Sequence, residues 1–125
     1  IDKLDLLAAV NRQGIALVDK LHARFGNHAN VGDIRGRGLF QGLELVADRT
    51  TKTPFDPGLK LNARIKKHAF ADGLICYPGG ATADGKRGDH VLLAPPFIIT
   101  DTQLDELVAK LAGAVEKSLT EIGAA

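Results

Sequence analysis

The chain has neither methionine nor tryptophan, and only one cysteine, one serine and one tyrosine. The lone Cys76 excludes an internal disulfide and fits a reducing compartment such as the cytoplasm. Ser118, the only serine, falls inside the predicted last helix, so a Ser-His-Asp triad lacks a well-placed nucleophile. No apolar run approaches the roughly 18 residues that a membrane span requires. A net charge of +1 gives no reason to expect nucleic acid or an anionic membrane as partner. The expected strands also lack the aromatic side chains on which bases stack. No signal peptide is visible, since Ile1 to Val10 already carries Asp2, Lys3 and Asp5. Ile1 in place of a start methionine fits a processed chain or a piece of a longer one. Internal repeats and low-complexity segments are absent.

What is present is an ordinary globular composition, 45% hydrophobic and 25% charged over 125 residues. One domain over 1–125 is expected, large enough to bury roughly two thirds of its unfolded surface. The organising stretch is Val31 to Val46, with glycines at 32, 36, 38 and 42. Spaced glycines among strand formers mark a backbone that bends or approaches another segment closely. From Leu39 onward the alternation puts Leu39, Gln41, Leu43 and Leu45 on one strand face. The pattern Gly36-x-Gly38-x-x-x-Gly42 is not a dinucleotide loop. That loop needs a strand before the glycines and a helix after them, and here a strand follows.

In chain order, Leu4, Leu7, Ala8, Ile15, Val18, Leu21 and Phe25 mark one face of a long first helix, closed by Gly26. Gly14 interrupts it at about 1 kcal/mol against alanine, which suggests a close neighbour there. A turn over Asn27 to Asn30 leads to strands near Val31–Arg35 and Leu39–Val46. After a polar loop, Asp56-Pro57 is expected to cap and open a helix whose buried stripe is Leu61, Ile65 and Ala69. Gly73 stops it. Leu74 to Tyr77 reads as a short strand ending at Pro78, Gly79 to Gly88 as a loop, and His90 to Ala94 as a strand halted by Pro95-Pro96. Thr100 and Gln103 have capping-box spacing. Leu104, Leu107, Val108, Leu111, Val115, Leu119 and Ile122 then form the clearest amphipathic stripe. The fold class is therefore α+β, in the order α-β-β-α-β-β-α. An antiparallel sheet of three to four strands carries helices on one face.

Few residues suggest chemistry. Cys76 follows apolar strand residues, as a packed thiol does. His22, His28, His68 and His90 show no metal-ligand spacing with one another or with Cys76, so no metal site is expected. Lys66-Lys67 reads as the wet side of a helix. The cationic loop Asp84-Gly85-Lys86-Arg87-Gly88-Asp89-His90 is the exception. On a glycine-rich loop, Arg87, or Lys86 beside it, can meet a carboxylate, and a guanidinium does so through two parallel hydrogen bonds. A solvated turn satisfies the same residues.

Three blocks carry a resemblance. Val31-Gly-Asp-Ile-Arg-Gly-Arg-Gly-Leu-Phe-Gln-Gly-Leu-Glu-Leu-Val resembles the opening of the C-terminal domain of class III, pyridoxal-phosphate-dependent aminotransferases. Gly73-Leu-Ile-Cys-Tyr-Pro and His90-Val-Leu-Leu-Ala-Pro-Pro-Phe-Ile-Ile-Thr resemble that family's closing segments, in the same order. Residues 1–28 resemble the helix and turn leading into this domain, and 31–125 the domain itself.

The resemblance implies a fold type I enzyme, dimeric or larger, that moves an amino group from a donor to a 2-oxo acid through pyridoxal 5'-phosphate. The cofactor lysine and the aspartate facing the pyridinium nitrogen belong to the large domain. None of the nine lysines here stands in the cofactor-lysine context. The chain alone is thus expected to hold no catalytic residue, no cofactor-binding residue and no tightly bound cofactor. Its partners would be the large domain and a second enzyme subunit. Its contribution would be substrate recognition, with Arg87 and Lys86 as the carboxylate candidates. The family often places its arginine three residues before the glycine preceding the last strand, which here is Gly85; Arg87 is displaced toward the strand. Arg35 matches a family position too, although an arginine inside a bent strand entry is more often structural than substrate-binding. The competing reading is a stand-alone α+β module for small-molecule binding or oligomerisation.

Overall fold

The computed structural model describes residues 3–74, 76–80, 87–96 and 99–124, the side chains of residues 3–6 and 77 excepted. Helix α1 (Lys3–Phe25) leads into strands β1 (Val31–Arg37) and β2 (Phe40–Leu45). Helix α2 (Leu61–Ala71), strands β3 (Tyr77–Gly80) and β4 (Asp89–Leu93), and helix α3 (Asp101–Glu121) follow. The strands form one antiparallel sheet in the order β1-β2-β4-β3. The fold is α+β with the expected element order.

Alternation along β2 produces the sheet's two faces. Leu39, Gln41, Leu43 and Leu45 are buried, together with Val91 and Leu93 of β4, against the helices. Phe40, Glu44, His90 and Leu92 point to the other side and keep solvent contact. Gly38 turns the β1–β2 hairpin with φ at +51°, a conformation that side chains disfavour. Here α1 meets the hairpin. A Cβ on Gly14 would stand 2.7 Å from the Cα of Gly38, so the glycine expected to have a close neighbour has one.

Helix α3 begins with the anticipated capping box: Thr100 accepts from the Gln103 amide, and the Gln103 side chain accepts from the Thr100 amide. Leu104, Val108, Leu111, Val115 and Leu119 are buried, with Leu107 and Ile122 packed at the margin. Glu106 pairs with Lys110 at 2.9 Å on the outer face.

Three expectations need correction. The buried face of α1 is Gly14, Leu17, Leu21 and Phe25, whereas Leu7 and Ile15 are 54% and 64% exposed. The backbone contact at Gly38 sets the helix's rotation, and Ile15 lies one residue on, about 100° round from Gly14. The side chain of Leu4 lies outside the described residues. Secondly, Asp56 caps a single 3-10 turn, Pro57–Leu59, by accepting from the Gly58 amide at 2.9 Å. Lys60, left-handed at φ +54°, interrupts the helical path, so α2 starts at Leu61. Its stripe Leu61, Ile65 and Ala69 is buried as expected, and Gly73 at φ +79° ends the turn.

The third correction concerns β3, which runs Tyr77–Gly80 instead of Leu74–Tyr77. Pro78 pairs with Val91 inside the strand. An edge strand tolerates it, because only one of its sides must supply ladder donors. Gly79 and Gly80 therefore belong to the sheet. Residue 75 and loop residues 81–86 lie outside the described residues.

Candidate functional site

Arg87 is exposed and stands just before β4. Lys86, the other carboxylate candidate, lies outside the described residues. Gly88 follows, buried, at φ +112°, a region that L side chains rarely adopt. Next comes Asp89, only 5% exposed. Its Oδ1 accepts from the Asn62 backbone N–H at 3.1 Å and from the Asn62 side-chain amide at 2.7 Å. Asn62 is in the first turn of α2, and Lys60, at that helix's N-cap, gives no side-chain hydrogen bond. Asp89 thus caps α2 from another element, placing negative charge at the helix's positive end.

The same amide touches β3. Gly80 is the register partner of Asp89, and a Cβ on it would stand 3.1 Å from the Asn62 Nδ2. Both strand ends flanking the loop therefore lie at one helix terminus, with the β4 end bonded to it. A guanidinium on such a base can receive a planar carboxylate through paired N–H donors. Sequence reasoning singled out Arg87 as a carboxylate candidate and gave no sign of Asn62. The two partners are 27 residues apart, and no local pattern joins them. The one available signal is that Asp56 lies too early to cap α2.

A second concavity lies on the sheet's uncovered face. Register aligns Arg35 with Gly42 and Gly42 with Leu92. Lacking a side chain, Gly42 opens a trough of about 290 Å³ lined by Arg35, Phe40, Glu44, His90 and Leu92. Arg35 reaches toward Asp33 at 3.6 Å while remaining largely exposed. The His90 ring lies over Gly79, where a Cβ would stand 2.7 Å from Cε1.

Other reactive groups are occupied or shielded. Burial pushes the Cys76 thiol up from its ordinary pKa, which keeps it protonated and poorly nucleophilic. Ser118 is buried and donates to the Ala114 carbonyl at 2.7 Å. His28 accepts from the Asn30 amide at Nδ1, leaving Nε2 to donate to Glu116. His68 bonds Glu121 at 2.9 Å. Among the described residues, no cluster of histidine, cysteine and carboxylates could hold a metal ion, and no helix is long and apolar enough to cross a membrane.

The sequence model of a family described as aminotransferase class-III matches residues 1–115. The chain belongs to the class III aminotransferases. It is similar to an uncharacterized aminotransferase of Schizosaccharomyces pombe, 49% identical over 117 residues that cover 94% of this chain and 26% of the relative. Its backbone is similar to a pyridoxal-phosphate-bound aminotransferase mutant from Vibrio fluvialis. The TM-score is 0.83 at 35% identity, covering 96% of this chain and 25% of that one. An ω-aminotransferase from Paracoccus denitrificans gives a TM-score of 0.83 at 36% identity, again over 96% and 25%. The chain therefore spans about a quarter of the length of the aminotransferases it matches.

Within this aminotransferase segment, no lysine with a described side chain sits in a desolvated pocket. A hydrogen bond from Lys20 to Asp105, 2.7 Å away, raises the ammonium's pKa. Lys110 and Lys117 face Glu106 and Asp72. Lys52, Lys60, Lys66 and Lys67 are exposed.

Proposed function

We propose that residues 31–125 are the C-terminal, substrate-recognising and dimer-supporting domain of a cytoplasmic class III transaminase, with 1–28 as its leading helix and turn. The complete enzyme carries pyridoxal 5'-phosphate and passes the amino group of an amine or ω-amino acid to pyruvate or another 2-oxo acid. Its partners are its own large domain and a second subunit. The supporting observation is a match along nearly the whole chain to one quarter of much longer aminotransferases, with an exposed arginine at the foot of β4. A stand-alone module does not call for such a match.

The described residues do not fit the cofactor. A lysine that attacks a carbonyl must spend time as the neutral amine, which burial or a cationic neighbour favours. Lys20, Lys110 and Lys117 face carboxylates, which favour the ammonium, and the other four are in water. On this reading the cofactor site lies in the remainder of the enzyme, and this chain alone is inactive. Arg87 holds the acceptor's carboxylate and so orients its 2-oxo group; with an uncharged acceptor it turns to solvent.

Arg87→Ala in the complete enzyme tests this, assayed with pyruvate and with an uncharged aldehyde acceptor. Loss of a charge-assisted pair should weaken kcat/KM for pyruvate by about 1.5 to 3 kcal/mol and spare the aldehyde. Equal effects on both acceptors, or none on either, would remove Arg87 from the site.

A further inference from the structure

We propose that Asn62 and Asp89 are positioning residues that set the enzyme's preference for carboxylate-bearing acceptors by fixing the base from which Arg87 projects. The inference rests on the reading of Arg87 given above. Asp89 is the only buried carboxylate among the described residues, and its Oδ1 accepts both from the Asn62 backbone N–H and from the Asn62 side-chain amide. Burial without such donors would be costly, so Asn62 helps to hold the carboxylate in its place. Arg87 is two residues away, so its Cα lies within about 7.6 Å of the Asp89 Cα. The intervening Gly88 is buried at φ +112° and leaves little slack in that span.

Asn62 also secures the opposite side of the loop, because its amide packs against the bare backbone of Gly80. One side chain is thus bonded to the start of β4 and packed beside the end of β3. A cap serving α2 alone would need only the Asn62 backbone N–H. The additional 2.7 Å bond from the side-chain amide stabilises no helix amide and instead ties the start of β4 to α2. A guanidinium must meet a planar carboxylate with both N–H groups aligned, so displacement of its base acts on charged acceptors first. An uncharged acceptor makes no such demand.

The test uses the complete, cofactor-loaded enzyme with Asn62→Ala, and Asn62→Ser as a milder variant should the first fold poorly. KM and kcat are measured for pyruvate and for an uncharged aldehyde, with Tm recorded alongside. The expected result is a rise of roughly tenfold in KM for pyruvate, with kcat and both aldehyde constants nearly unchanged. The exchange Asn62→Asp with Asp89→Asn re-forms an amide–carboxylate pair and should restore part of the pyruvate KM. A lowered Tm with an unchanged pyruvate-to-aldehyde ratio would show that the pair only stabilises the fold, and would overturn the proposal. If Arg87→Ala lowers that ratio and the Asn62 variants do not, only the positioning role is lost. If Arg87→Ala leaves the ratio unchanged, the reading of Arg87 falls first and this inference falls with it.

Discussion

Helices α1 and α3 are nearly equal in length, 23 and 21 residues, and both read as amphipathic, yet they use their apolar residues differently. On α3 the stripe visible in the sequence is the stripe that packs, from Leu104 to Leu119. On α1 two apolar stripes compete. Leu17, Leu21 and Phe25 enter the core, while Leu7 and Ile15 stay more than half exposed. Periodicity reports that a helix has an apolar side; it does not say which of two such sides meets a given sheet. The close approach of Gly14 to Gly38 decides that on α1.

The largest expected effect lies on α3. Leu111 is fully buried, so Leu111→Ala should lower stability by about 2 to 5 kcal/mol, read from the denaturant midpoint. A midpoint equal to the parent's would mean that α3 is no better packed than the exposed stripe of α1.

Gly14→Ala probes the contact that rotates α1. Alanine should favour an isolated helix by about 1 kcal/mol. Here its Cβ would press on the backbone of Gly38, which has no flexible side chain to yield. Overpacking of this kind costs about 1 to 3 kcal/mol, so the net change should be destabilising. A more stable variant would show that α1 is free to rotate.

Ile15→Ala should change the chain's stability by less than about 0.5 kcal/mol, because its side chain stands mostly in water. A loss comparable to that of Leu111→Ala would place Ile15 in the core and erase the contrast between the helices.

The smallest effect concerns the clasp between α2 and the end of α3. The hydrogen bond from His68, with a lesser contribution from Arg64, holds the Glu121 carboxyl below its ordinary value of 4.5. A carboxyl with a lowered folded-state pKa contributes stability above its unfolded value and loses it as pH falls through the folded one. Acidification below pH 4.5 should therefore weaken the parent more than Glu121→Gln, a difference read from denaturant midpoints across that range. Parallel pH profiles would leave the clasp without a role in stability.

The sequence by itself determined the α+β class, the order of elements, the buried alternation of β2, the capping box of α3 and the left-handed Gly73 after α2, whereas Gly26 follows α1 without a positive φ. Each rests on local physics: side-chain periodicity, a cap three residues away, a backbone that only glycine readily adopts. Arg87 drew attention as a carboxylate candidate for the same kind of reason, as a cation between two glycines. Tertiary structure alone decided three other features: the rotation of α1, the place of Pro78 within an edge strand, and the union of Asn62 with Asp89. Those depend on groups brought together across the chain, where burial and hydrogen-bond demand act between residues that no local spacing connects.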